Sequence, residues 1–318
     1  MNDNLKASAI RIGTLLLVLA GVAGTFALRE AGAFDLPTTG RPMIGPSTPR
    51  SFAPGDVLVS MRTGEVQWRD GSGALVSVLV NAIPGKAEGM GFDAAGNLYV
   101  SHYCADASVC LAGNTVERFS PQGISLGAFG SGYDCNPYSF AFDRLGSVYV
   151  GQADCTGDIR RLDGSGAQRA AFDVAPDNRG SARIDLASDG CTMFYTSQGP
   201  NVKRFDVCSN RQLPNFNVAP IAGGYTGSLR ILPDGGVLVA TASNIARLDS
   251  RGGLVQTYDL PDEPDLFIGL DLVGDGTFWA SNYGSSDVCK FDLASGALLA
   301  RFNTSTPTTT IKDVLVKH

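Results

Sequence analysis

Apolar and polar positions alternate along this chain in short runs, each closed by Gly, Asp, Ser or Pro, the pattern of half-buried strands joined by tight turns. One run recurs six times: Val66-Gln67-Trp68, Val116-Glu117-Arg118-Phe119, Ile159-Arg160-Arg161-Leu162, Val202-Lys203-Arg204-Phe205, Ile245-Ala246-Arg247-Leu248 and Val288-Cys289-Lys290-Phe291. Its basic residue steps from Arg118 through Arg161, Arg204 and Arg247 to Lys290 at intervals of 43, and the step back from Arg118 to Gln67 is 51. A fixed period in the forties, built from β-rich units, predicts a propeller.

Each unit divides into four strands, A to D. Strand A is clearest at residues 89–93. Strand B follows a Gly-containing turn at 97–101 and recurs at 147–150, 192–195, 237–240 and 277–280. The recurring run is strand C. Strand D follows turns such as Asp70-Gly71-Ser72-Gly73 and Asp163-Gly164-Ser165-Gly166, at 75–80, 167–172 and 254–258. Both faces of each unit carry apolar residues, so units must stack around an axis to bury them. The first unit starts at strand B, residues 55–60, without a strand A, whereas 311–316 reads as a strand A with no strand B after it. The expected fold is therefore all-β, a six-bladed β-propeller of four-stranded blades over residues 55–318. The C-terminal strand completes the first blade and removes the unpaired edges.

Composition narrows the partners. The formal net charge of -6 and the lack of a basic stripe argue against a nucleic-acid partner. The Arg and Lys residues of strand C come one per blade, which suits ion pairing and packing of their stems between blades. Residues 1–33 read as an export signal: Lys6 and Arg11 precede the apolar run 12–28, and Ala31-Gly32-Ala33 fits a small-x-small cleavage site. That run of 17 residues is also at the short limit for a membrane span, so the segment is a signal peptide or an uncleaved signal anchor. A linker with five prolines, residues 34–54, follows. The expected location is periplasmic or extracellular.

Seven cysteines suit an oxidising compartment. In an up-and-down blade the B-to-C loop and the loop into the next strand A share one rim, and the A-to-B and C-to-D turns share the other. On that basis Cys104 pairs with Cys110, Cys135 with Cys155 and Cys191 with Cys208, leaving Cys289 over. A zinc site at Cys104 and Cys110 is the weaker reading, because four converging ligands are needed.

The segments Glu88-Gly89-Met90-Gly91-Phe92-Asp93-Ala94-Ala95-Gly96-Asn97-Leu98-Tyr99-Val100 and Ser139-Phe140-Ala141-Phe142-Asp143-Arg144-Leu145-Gly146-Ser147-Val148-Tyr149-Val150 resemble the six-bladed propellers grouped as NHL-repeat, streptogramin-lyase-like and SMP-30/gluconolactonase-like proteins. The resemblance covers about residues 55–318 and speaks for architecture more than activity, because a fold hosts many functions. A lyase of this group is implied to need histidines and an acid at the centre, yet the chain has only His102 and His318. A lactonase is implied to hold calcium or another divalent ion on one Glu with Asn and Asp. Glu88 and Asn136 match that pattern; Ser181 stands at the next entrance and no aspartate completes the set.

The Asp-Gly-Ser-Gly segments fall at C-to-D turns and read as turn chemistry, not phosphate loops or nucleophile elbows. Asp185, Arg230 and Asp271 fall at equivalent strand A positions and predict an ion-pair belt around the channel. The rim of the B-to-C loops gathers His102, Tyr103, Asn136, Tyr138, Gln152, Gln198, Asn282 and Tyr283, a set suited to a polar small molecule or a protein loop; the alternative is that these residues only end strands and satisfy turns. The sequence reads best as an exported binding or scaffolding module with no assignable catalysis or cofactor. The alternatives are a divalent-metal-dependent hydrolase or lactonase and a purely structural envelope protein.

Overall fold

A computed structural model describes residues 50–79, 81–104, 113–260 and 266–318. These residues form twenty-four strands, β1 to β24 in chain order, arranged as six four-stranded antiparallel sheets. The innermost strands are β4 (Lys86–Phe92), β8 (Pro137–Phe142), β12 (Arg183–Leu186), β16 (Thr226–Ile231), β20 (Phe267–Leu272) and β24 (Ile311–Val316). The sheets are the blades of a propeller. The export-like residues 1–33, with the apolar run 12–28, lie outside the described residues.

Closure follows the predicted register. The first blade is ordered β24, β1 (Val57–Met61), β2 (Val66–Arg69) and β3 (Leu75–Leu79), with Val57 opposite Val316 and Val59 opposite Val314. Val57, Val59, Val314 and Val316 then pack against Trp279 and Val288 of the sixth blade. The core lies between blades. Leu58, Val66 and Trp68 of the first blade meet Met90, Leu98 and Phe119 of the second, while Leu238 and Tyr258 of the fifth meet Leu270, Phe278 and Phe291 of the sixth. Hydroxyls reinforce these seams: Ser60 donates to the Glu88 carbonyl, Ser101 to that of Tyr138 at 3.1 Å and Thr196 to that of Gly227 at 2.6 Å.

Packing begins earlier than the proline pattern suggests. Residues 50–54, read as the end of a linker, lie against the first two blades, because Phe52 is apolar enough to bury edge-on to Trp68 and Phe92. Arg50 adds a 3.0 Å ion pair to Asp56. The rest of that segment, 34–49, lies outside the described residues.

The Asp-containing turns do what short polar side chains do locally. Oδ1 of Asp70 accepts from the amides of Ser72 and Ala74, and Oδ1 of Asp163 accepts from those of Ser165 and Ala167. Two expected disulfides, Cys135–Cys155 and Cys191–Cys208, are present, one on each rim. Cys104 is disulfide-bonded, and its expected partner Cys110 lies outside the described residues. Cys289 is a buried thiol.

Two variants test the closure. Deleting residues from Ile311 onward should abolish the cooperative thermal transition, because the loss of an inner strand is comparable to the total stability of about 5–15 kcal/mol. Leu315→Ala, which empties a site packed on the first two blades, should cost about 2–4 kcal/mol in a denaturant titration. An unchanged transition in the truncated chain would refute the closure.

Candidate ligand site at the channel mouth

Five of the six innermost strands carry a β-bulge near the end at which they enter the blade. The register skips at Glu88 and Gly89, at Tyr138, at Gly227 and Ser228, at Ile268 and at Lys312. A bulge leaves its extra residue unpaired and re-aims the side chain. Gly89 is required here: a β-carbon would lie 1.9 Å from the Tyr138 carbonyl oxygen, so only glycine lets these two blades approach so closely.

Side chains of the inner strands, at the bulges and beside them, meet one another across blades. Lys312 of the first blade places its ammonium 3.2 Å from Oε1 of Glu88 in the second and over the ring of Tyr283 in the sixth. Arg183 of the fourth blade reaches Asp313 of the first at 2.8 Å and lies over the ring of Tyr138 in the third. Those partners span the channel. Glu88 is 3% exposed, and its Oε2 is buried without a hydrogen-bond partner among the described residues.

Deeper along the axis the predicted belt is present. Arg230 pairs with Asp271 at 2.6 Å, Oδ2 of Asp271 accepts from the Val316 amide and Oδ2 of Asp185 accepts from that of Ile231. Each carboxylate therefore joins neighbouring blades. Burial pushes the Asp185 carboxyl up, against the opposing pull of Arg230.

Toward the rim, Asp154 organises a second cluster. Arg179 donates to both of its oxygens, at 2.9 and 2.6 Å, and to the Tyr103 hydroxyl at 2.8 Å; Asn136 donates to Asp154 at 2.6 Å. Burial alone would raise the Asp154 pKa, but the bonds from Arg179 and Asn136 outweigh it and hold the group below the usual carboxylate range. Lys86 lies over the Tyr103 ring, and Tyr103 meets Tyr138 edge-on.

Seven of the eight predicted rim residues separate into two groups. Tyr103, Asn136, Tyr138 and Tyr283 take part in the mouth just described. His102, Gln152 and Asn282 are fully buried and serve the loops instead. His102 sits inside β5 (Leu98–Tyr103), and Nε2 lies 3.2 Å from the Glu117 carboxylate. Gln152 accepts from the Asp134 amide, and Asn282 accepts from the amides of Leu266 and Gly284. Gln198 is partly exposed in a left-handed turn conformation. Lys312, Arg183 and Asp313 were not singled out from sequence. Lys312 and Asp313 carry one local signal, a charged pair within an otherwise apolar strand, and Arg183 carries none.

The donor set does not fit a hard divalent ion. Oε1 of Glu88 faces an ammonium, and the Asn136 side-chain oxygen accepts the Cys104 amide at 3.0 Å. Among the described residues, one group of His, Cys, Asp and Glu has metal-binding spacing, Cys191, Asp206 and Cys208, and its two sulfurs form a disulfide.

No family model and no curated protein matches the chain. Solved structures do. A chain of the nidogen/laminin complex aligns with TM-score 0.65 and 13% identity over 81% of this chain and 97% of its own. A protein of unknown function from Bacteroides caccae gives 0.65 and 13% over 82% and 98%, and a streptogramin B lyase gives 0.55 and 16% over 84% and 88%. The chain is a six-bladed β-propeller. At these identities the likeness establishes that architecture alone.

The clusters predict an acid limb in stability. Burial would raise Glu117, yet bonds from His102, Ser125 and the Ala82 amide hold it below its ordinary value, as Asp154 is held below its own. Both carboxyls thus contribute stability that is complete above the ordinary values of 4.5 and 3.8 and is lost as pH falls through the lower folded values. Thermal melts from pH 6 to pH 2 should show this decline, and Glu117→Gln should flatten part of it; a profile identical in the variant would contradict the assignment.

Proposed function

We propose that this propeller is an exported binding module that takes a polar ligand, a small molecule or a protein loop, at the channel mouth. The observation that carries the reading is the pair of hydroxyls on Tyr138 and Tyr225, which have no hydrogen-bond partner among the described residues although the side chains around them are paired. Burial pushes both phenols up, so they are neutral donors at ordinary pH. Tyr225 lies within electrostatic reach of Arg183, Glu88 and Arg179. Donors held in place by a rigid ring and lacking internal partners suit recognition.

The disulfides on both rims support an oxidising compartment, which agrees with the export-like N-terminus. The lactonase-like alternative finds less support, since Glu88 is engaged by Lys312 and Asn136 is engaged by Asp154 and Cys104. Nor does a histidine-based reaction fit His102, which is sealed against Glu117.

A ligand that binds here raises the melting temperature by mass action, by about 2.7 kcal/mol of stability at a hundred times its Kd. The double variant Tyr138→Phe with Tyr225→Phe should lose that increment while keeping its ligand-free melt. Arg144→Ala, in an A-to-B turn on the opposite rim, should retain it. Loss of the increment in both variants, or in neither, would place binding elsewhere.

A further inference from the structure

The mouth is charged unevenly. Arg179 with Asp154, on the side of the third and fourth blades, and Arg183 with Asp313, across the ring from the fourth blade to the first, form one-to-one pairs. On the side of the first and second blades stand Arg62, Lys86 and Lys312; Glu88 pairs with Lys312, Asp313 is taken by Arg183, and Glu65 is exposed in the same turn as Arg62. Arg62 reaches the Tyr283 hydroxyl at 3.3 Å and Lys86 lies over Tyr103, but neither has an ion-pair partner among the described residues. Among the described residues, the entrance to the axis of a chain of formal charge -6 therefore carries two cations without an ion-pair partner in addition to the Lys312–Glu88 pair.

Lys312 itself is divided. Its ammonium contacts Glu88 on one side and the Tyr283 ring on the other, and its side chain is 16% exposed, so it retains a donor toward the opening. We propose that the mouth binds a carboxylate, held by Lys312 with Arg62 and Lys86 and hydrogen-bonded by the Tyr138 and Tyr225 hydroxyls, and that Glu88 is the internal competitor that tempers its affinity. This rests on the reading of the mouth as a binding surface. The carboxylate comes from a free small acid or from an acidic side chain of a partner, and the chemistry at Lys312 is the same. Glu88 thus has the opposite role from a metal ligand: it holds the ammonium in place while reducing the field the ligand feels.

The test is calorimetric titration of the purified full chain with succinate, with its neutral analogue succinamide and with a hexaglutamate peptide. Succinate or hexaglutamate should bind, succinamide should not, and raising the salt concentration should weaken binding because exposed charges are screened. Lys312→Met should weaken binding at least about tenfold, equivalent to about 1.4 kcal/mol. Glu88→Gln should tighten it several-fold. Much tighter binding of hexaglutamate than of succinate identifies an acidic partner segment, and binding of succinate alone identifies a small acid.

Equal binding of succinamide, unchanged binding in Lys312→Met or weaker binding in a folded Glu88→Gln would overturn the proposal. If Glu88→Gln does not fold, Lys312→Met against succinate decides. Absence of carboxylate binding while another ligand is lost in the Tyr138 and Tyr225 variant would defeat this inference and leave the binding reading standing. Carboxylate binding that survives every mouth variant would defeat both.

Discussion

Everything in this molecule depends on one strand pairing made over a sequence distance of nearly the whole propeller. No blade can bury its two apolar faces alone, so each needs a neighbour on both sides, and that condition is met only in a closed ring. β24 provides it by pairing with β1, which brings Val314 and Val316 against the sixth blade and Leu315 against the second. The closure also leaves the outer strands as the exposed edges. β19 (Leu254–Tyr258) and β23 (Leu298–Asn303) accordingly show exposed and half-buried positions where the inner strands are buried.

The same strand carries the chemistry of the axis. Its bulge releases Lys312 toward Glu88, and the next residue, Asp313, receives Arg183 from across the ring. Such pairs are not an economical source of stability, because desolvation offsets much of the Coulomb attraction. They are better understood as determinants of geometry. Asp313 accepts from the Met90 amide, Asp271 from that of Val316 and Asp185 from that of Ile231, so carboxylates join strands that no sheet hydrogen bond connects.

Much of the architecture was legible in the chain because it is periodic or local. The 43-residue step fixed the blades, the orphan strand at 311–316 fixed the closure, and assigning loops to rims paired Cys135 with Cys155 and Cys191 with Cys208. The site was less legible, for a physical reason: its residues converge only after the ring has formed. Arg183 and Asp313 are far apart in sequence and in opposing blades, and nothing in either segment announces the other. His102 misled in the other direction. It follows an apolar strand where a rim loop was expected, but β5 continues through Tyr103 and turns the imidazole inward to Glu117. Asn282 and Gln152 are similar cases, in which amides that resemble ligand donors satisfy nearby main chain.

Because Lys312 and Asp313 lie on the closing strand, the mouth exists only once Ile311–Val316 has docked. During synthesis five blades and part of a sixth can collapse while the mouth still lacks Lys312 and its neighbour Asp313. A ligand of the kind proposed for the mouth would therefore recognise completed rings and ignore unfinished ones. Its presence during maturation would draw the population toward the closed form by mass action, without contacting any of the outer strands.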